Sequence, residues 1–149
     1  MFGLSKRERA LKKATGALAE FYQVSQPSPR ARLTDLPMLA VDVETTGLSP
    51  RDDRLLSIGW VPIDGGAVTL AGAGHMVLQQ QDGTSVGESA TIHGLTDDAV
   101  RAGTPAAEAV TGLLHALQGR VMVVHYATME QGFLSALSCA PIRRSGCGR

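Results

Sequence analysis

Asp42 and Glu44 stand two residues apart in LAVDVETTGLSP, the stretch from Leu39 to Pro50. Leu39, Val41 and Val43 alternate with Ala40, Asp42 and Glu44. Alternation at period two marks a β-strand and puts both carboxylates on the face opposite the apolar side chains. Residues i and i+2 of a strand lie about 6.5 Å apart. The two acids can therefore converge on one divalent cation, or on two cations about 4 Å apart. Carboxylate oxygens are the hard donors that Mg²⁺ and Mn²⁺ prefer. Like charges this close repel when no cation lies between them. A solvated strand face is the plain alternative for the same pair.

The strand needs a scaffold, and the chain supplies one in order. Ser5 and Glu8 have the spacing of a capping box, and Leu4, Leu11, Ala14, Leu18 and Phe21 recur at helical spacing. This predicts a basic amphipathic helix over residues 6–22, inside a helical segment spanning 1–24. It is a solvated surface element or an auxiliary contact to nucleic acid. Residues 25–37 contain three prolines and read as a linker. The core domain follows over 38–137. After the carboxylate strand come a second strand, Leu55–Ile63, the turn Asp64-Gly65-Gly66, and a third strand through AVTLAGAGHMVL. Gln79 to Gly87 reads as a loop. Thr104 is placed to cap a helix with Pro105 at its first position, and AAEAVTGLLHALQ continues it to Gly119. VMVVH is a short apolar strand, and a last helix begins near Thr128 with Phe133, Leu134 and Leu137 on it. A strand reached through a crossover helix pairs in parallel as a rule. The expected fold is α/β, a mixed sheet with flanking helices.

Length and composition bound the rest. The 149 residues suffice for one hydrophobic core. Net charge is zero, which argues neither for nor against a polyanionic partner. Residues 1–36 hold seven Lys and Arg against three Asp and Glu, a local surplus of four. No apolar run approaches the roughly 20 residues of a membrane span, and the basic N-terminus has no apolar segment behind it to make a secretory signal. Cys139 and Cys147 define no disulfide framework. A soluble cytoplasmic protein is the default expectation.

Two chemistries fit the paired acids loosely. An apolar strand ending in an acid occurs in nucleotide triphosphatases, but the chain has no G-x-x-x-x-G-K-[ST] loop. D-x-E-x-T approximates the nucleophile loop of haloacid-dehalogenase-like phosphatases, whose later lysine and acidic loop have no counterpart here. A third reading draws on more of the chain. VDVETTGLSP, ATIHGLTDD (Ala90–Asp98) and VVHYATMEQGFL (Val123–Leu134) together, in this order, resemble the DnaQ-like 3′–5′ exonucleases of the DEDD superfamily, which includes the epsilon subunit of bacterial DNA polymerase III. The resemblance covers residues 38–137. It implies a ribonuclease H-like mixed sheet: a three-strand antiparallel meander plus a parallel strand.

The resemblance further implies that Asp42, Glu44 and Glu130 are catalytic ligands of two Mg²⁺ or Mn²⁺ ions. Thr45, Thr46 and Gly47 would line the pocket of the terminal nucleotide, Gly47 by letting backbone approach the substrate. Leu48 would pack on the last base, and His93 and Gly94 would lie beside the same nucleotide. Single-stranded DNA or DNA 3′ ends are the implied substrates. RNA is not distinguished, because nothing in the sequence reads a 2′-hydroxyl. A DNA polymerase is a partner the resemblance admits. A catalytically inactive nucleic-acid-binding or partner-binding module is the alternative.

Two departures from the family pattern matter. The second motif typically reads H-N-x-x-F-D, whereas this chain has His125-Tyr126-Ala127-Thr128-Met129-Glu130. Glu130 is one methylene longer than the expected Asp, and an exposed first-turn residue of a helix is the other reading of it. His125 at a strand end reads as structural, while His75 and His115 have no motif around them. The third motif, H-x-x-x-x-D, which supplies a general base and a fourth metal ligand, has no counterpart. The 19 residues after Glu130 contain neither His nor Asp. The irregular tail, 138–149, holds both cysteines and three arginines. We expect a truncated or frameshifted gene product, incomplete at its C-terminus, poorly soluble and with hydrolysis near background.

Overall fold

The computed structural model describes residues 8–9, 12–80 and 94–139. Leu4, Ser5 and Leu11, which carry the start of the expected N-terminal helix, lie outside these residues. So do His93, most of the 79–87 loop and residues 140–149. The first described helix, α1 (Ala17–Gln23), is shorter than the periodicity predicts. Gly16 stands before it at φ 56°, a left-handed conformation that no continuous right-handed helix accommodates. The expected helix over 6–22 is therefore broken at this glycine. The proline-rich stretch after α1 contains a single 3₁₀ turn, Leu33–Asp35.

β1 (Met38–Thr45) and β2 (Leu55–Asp64) form the antiparallel centre of the sheet, in register from Met38↔Ile63 to Glu44↔Ser57. The register then slips, Thr45 pairing with Leu55. Leu56 is the extra residue of this bulge, which lies immediately after Glu44. β2 turns through Gly65 and Gly66, at φ 59° and 80°. Positive φ at both positions is what a two-residue hairpin turn of matching twist requires.

The expected third strand is split into β3 (Ala67–Val68) and β4 (Gly74–Val77), both on β2, with a 3₁₀ turn at Leu70–Gly72 between them. Pro62 of β2 explains the interruption. It accepts from Thr69 N at 2.9 Å but has no N–H to return, so the ladder fails there.

α2 (Asp97–Arg101) is a short helix capped by Thr96, whose Oγ1 accepts from Ala99 N at 3.2 Å. α3 (Ala106–Ala116) begins after Pro105, and Thr104 does not cap it. Thr104 instead forms a parallel bridge with Leu78, its N–H donating to Val77 O at 2.7 Å and its carbonyl accepting from Gln79 N at 2.8 Å. Gly119, at φ 68°, turns the chain into β5 (Val121–Val123), which pairs in parallel with β1 from Met38↔Val121 to Ala40↔Val123. α4 (Ala127–Cys139) follows. The sheet order is β3–β2–β1–β5, with β4 beside β2.

One face of the sheet is packed. Leu39, Val41 and Val43 of β1 meet Ala109 and Leu113 of α3 and Phe133 of α4, with Trp60, Met122, Leu134 and Leu137 around them. A smaller cluster joins Leu56 to Val100 of α2, with Val77 and Leu95 beside them. Arg120 fastens the lower end of the sheet: its Nη1 and Nη2 donate to Asp64 at 2.6 and 3.2 Å, and Nη1 also reaches Met38 O at 3.3 Å. α1 lies on α3, where Glu20 Oε2 and His115 Nε2 are 3.0 Å apart. No described helix is long and apolar enough to cross a membrane.

Candidate active site

The carboxylates of β1 are on the face its apolar residues leave. Leu39, Val41 and Val43 are buried, whereas Asp42 is exposed and Glu44 half-buried. Among the described residues neither carboxylate has a hydrogen-bond or ion-pair partner. The neighbours on this face follow from the register, because directly opposed residues of adjacent strands point the same way. Asp42 faces Gly59 of β2, which faces His75 of β4. Glu44 faces the buried Ser57, which faces Val77. On the other side of β1, the exposed Val123 of β5 stands in register with Ala40. β1 and β5 run parallel, and β1 continues past the last pair, Ala40↔Val123, to carry Asp42 and Glu44 beyond the end of β5. The crevice beyond the carboxyl ends of parallel strands is where open α/β sheets bind ligands.

The loop after β1 is braced from within. Thr46 Oγ1 donates to Asp53 Oδ1 at 3.2 Å and accepts from Arg54 N at 2.9 Å, while Ser49 N donates to Asp53 Oδ2 at 2.9 Å. Thr45 Oγ1 donates to Gly47 O at 2.6 Å. Gly47 packs directly on this brace. A Cβ there would lie 2.5 Å from Asp53 Oδ2 and 2.7 Å from its Cγ. The hydroxyls of Thr45 and Thr46 are thus spent on the loop, and the missing side chain of Gly47 makes room for Asp53. Leu48 projects from the loop, 81% exposed. Pro50 packs on α4, where a Cβ at Gly132 would sit 2.6 Å from Pro50 Cγ. The sequence reading overlooked Asp53. The signal was present: a polar loop holding Thr46, Ser49 and an Asp four residues later is built for side-chain-to-backbone bonds.

Glu130 is neither exposed nor gathered with the other two acids. It is 1% exposed on the stripe of α4 that carries Phe133 into the core. Its Oε1 accepts from Tyr126 N at 3.1 Å, satisfying one of the free N–H groups at the start of α4. Its Oε2 is buried and has no partner. The reading of Glu130 as an ordinary exposed residue is corrected by this burial. Among the described residues, no three His, Cys, Asp or Glu side chains lie close enough to share an ion. His125 is exposed just past β5, and Tyr126 is 60% exposed beside it. Gly94, at φ 70°, has nothing within 4 Å of where a Cβ would stand, so its glycine answers to backbone conformation.

The comparisons with known proteins agree with this architecture. A sequence model of the RNase T type, described as Exonuclease, matches residues 39–136. A search against curated protein sequences finds no match. Among solved structures, E. coli exonuclease I in complex with a dT13 oligonucleotide superposes with a TM-score of 0.56 at 18% identity, over 66% of this chain and 22% of that one. The metal-free form of the E. coli exonuclease I–single-stranded DNA complex gives 0.55 at 17% identity, over the same shares. The chain thus spans about a fifth of the length of these structures. The likeness extends to the mixed sheet with one parallel pair and helices against it, the ribonuclease H-like arrangement. With about two thirds of its residues inside the matched region, this chain belongs to the exonuclease family.

Proposed function

We propose that this chain is the carboxylate-bearing part of a 3′–5′ exonuclease that hydrolyses single-stranded DNA with a divalent cation. The observation that carries this reading is the open face of β1. Asp42 and Glu44 sit side by side just beyond the carboxyl end of the parallel pairing with β5, and among the described residues no protein group binds either. Two unpartnered hard oxygen donors on one strand face fit Mg²⁺ or Mn²⁺, which needs only one or two protein carboxylates when water completes its shell. The buried, unpartnered Oε2 of Glu130 is a third hard oxygen donor by its chemistry. Asp42 and Glu44 would hold the cation, with Glu130 as the third ligand that the resemblance implies. When bound, the ion supplies a polarised water as nucleophile and neutralises charge on the phosphate.

The chain's own residues do the rest. Asp53 holds the loop from Thr46 to Arg54 in one shape, so Leu48 and the backbone at Gly47 meet the terminal nucleotide without reorganisation. Leu48 offers an exposed apolar surface to the last base. His93 and Gly94 are assigned to the neighbourhood of the same nucleotide by the resemblance alone. The family match and the exonuclease I neighbours, one solved with dT13, support nucleic acid as the ligand. A DNA polymerase remains a partner that the resemblance, and nothing in the fold, brings forward.

One observation favours a second reading, a binding module without catalysis. Glu130 is tied to its own helix start and does not join the other acids. The experiment that separates the readings incubates the purified chain with 3′-labelled single-stranded DNA and Mg²⁺ and follows release of mononucleotides and retention of DNA. Slow release above background that vanishes in Asp42→Ala while DNA binding persists supports the nuclease. Binding without release, indifferent to Asp42→Ala, supports the module.

A further inference from the structure

His75 has no motif around it in the sequence, yet the sheet carries it to the carboxylate face. The register sets Asp42, Gly59 and His75 in one row across β1, β2 and β4. Adjacent strands are about 4.8 Å apart, so the first and last of these Cα atoms are separated by about 10 Å. The residue between them has no side chain. A Cβ built at Gly59 would be 3.8 Å from His75 Cδ2, which places the imidazole ring along the edge of a notch that opens towards Asp42. His75 is exposed and, among the described residues, has no hydrogen-bond partner. In the next row, Glu44 is followed by the buried Ser57 and by Val77. Across the two rows the charged side chains are acidic, and a polyanion meets repulsion at both. The imidazole N–H is the exposed hydrogen-bond donor that offsets this.

We propose that His75 contacts the substrate, donating to a phosphate that adjoins the one drawn to a cation on Asp42 and Glu44, with Gly59 keeping the path between them open. This rests on the reading of the carboxylate face as a nucleic-acid site and adds to it the track of the bound strand, across the sheet from β1 towards β4. The rows also explain why a glycine suits the middle of a central strand. Gly59 is at ordinary φ and costs the strand packing without any turn to justify it. Close approach of a ligand over that position gives it a purpose.

The test is fluorescence anisotropy of a labelled oligothymidylate titrated with the full chain at several salt concentrations. Wild type is compared with His75→Ala, His75→Lys and Gly59→Val. Loss of one hydrogen bond to a charged group weakens binding about tenfold in His75→Ala. His75→Lys retains the affinity, with a salt slope steeper than that of His75→Ala by about 0.7, the value of one single-strand phosphate contact. Gly59→Val, a residue that strands accept, fills the notch and weakens binding as His75→Ala does. Thermal midpoints of all four proteins check that the sheet is intact. Wild-type affinity and slope in His75→Ala overturn the role of His75 and leave the nucleic-acid reading standing. If the folded wild type binds no oligothymidylate, that reading falls and takes this inference with it.

Discussion

A double-mutant cycle at Gly47 and Asp53 tests the account of the loop that follows the carboxylate strand. Gly47 is not at positive φ, so alanine is acceptable to the backbone there and only the new Cβ matters. That atom would lie 2.5–2.7 Å from the Asp53 carboxylate. Asp53 must swing away, giving up its bonds from Ser49 N and Thr46 Oγ1. Both bonds are half-buried, and about 1 kcal/mol each is a fair value after solvent screening. Replacing Gly by Ala at a compatible position returns about 0.5 kcal/mol through the unfolded chain. Gly47→Ala should therefore destabilise by about 1.5 kcal/mol, and Asp53→Ala by about 2 kcal/mol. In the double variant there is no carboxylate to displace, so only the gain remains. Its loss should be about 1.5 kcal/mol where additivity would give about 3.5, a coupling of about 2 kcal/mol. Urea unfolding followed by circular dichroism measures all four proteins. Single effects that simply add, within about 0.5 kcal/mol, would refute the claim that glycine is needed at 47 to admit Asp53.

Two further outcomes follow from particular side chains. Glu130→Gln keeps an acceptor for Tyr126 N and removes charge from a buried oxygen that has no partner, so in EDTA its melting temperature should equal or exceed that of the wild type; a fall of several degrees would show that the charge is needed by the apo fold. Arg120→Ala removes the paired bonds to Asp64 and the bond to Met38 O, and should cost about 1–2 kcal/mol in urea unfolding because Arg120 is partly buried; no measurable loss would make the clasp ornamental.

Strand periodicity made the core of this fold legible. Leu39, Val41 and Val43 are inward and Asp42 and Glu44 outward, as their alternation requires. Pairing was harder to read. Nothing in AVTLAGAGHMVL announces a break, because its cause, Pro62, lies on the neighbouring strand. Gly16 cut a helix that the apolar spacing alone would continue. Thr104 has cap chemistry, but its backbone was already committed to a bridge with Leu78. At the candidate site the motif residues were visible as residue types and Asp53 as part of a polar loop, whereas His75 became visible only through the strand register that brings it beside Gly59. Glu130 shows the limit most clearly. Its position in the motif suggested a ligand or a surface acid, and burial with a hydrogen bond to its own helix start follows from neither.

The two neighbours of β1 have different histories in the chain. β2 reaches it through one short loop, while the β5 end of the sheet, fastened by Arg120 to Met38 O, lies 82 residues further on. Closing a short loop costs less entropy than closing a long one, so local pairings precede distant ones. The β1–β2 hairpin, and with it the pairing of Asp42 with Gly59 and Glu44 with Ser57, can assemble while the second half of the chain is still unfolded. Docking of β5 then comes late on the route to the native state. Destabilising substitutions at Val123, which lies on β5 alone, should accelerate unfolding and leave the folding rate almost untouched. During synthesis on the ribosome, the strand bearing the two acids can pair with β2 as soon as both have emerged, before β5 has been made.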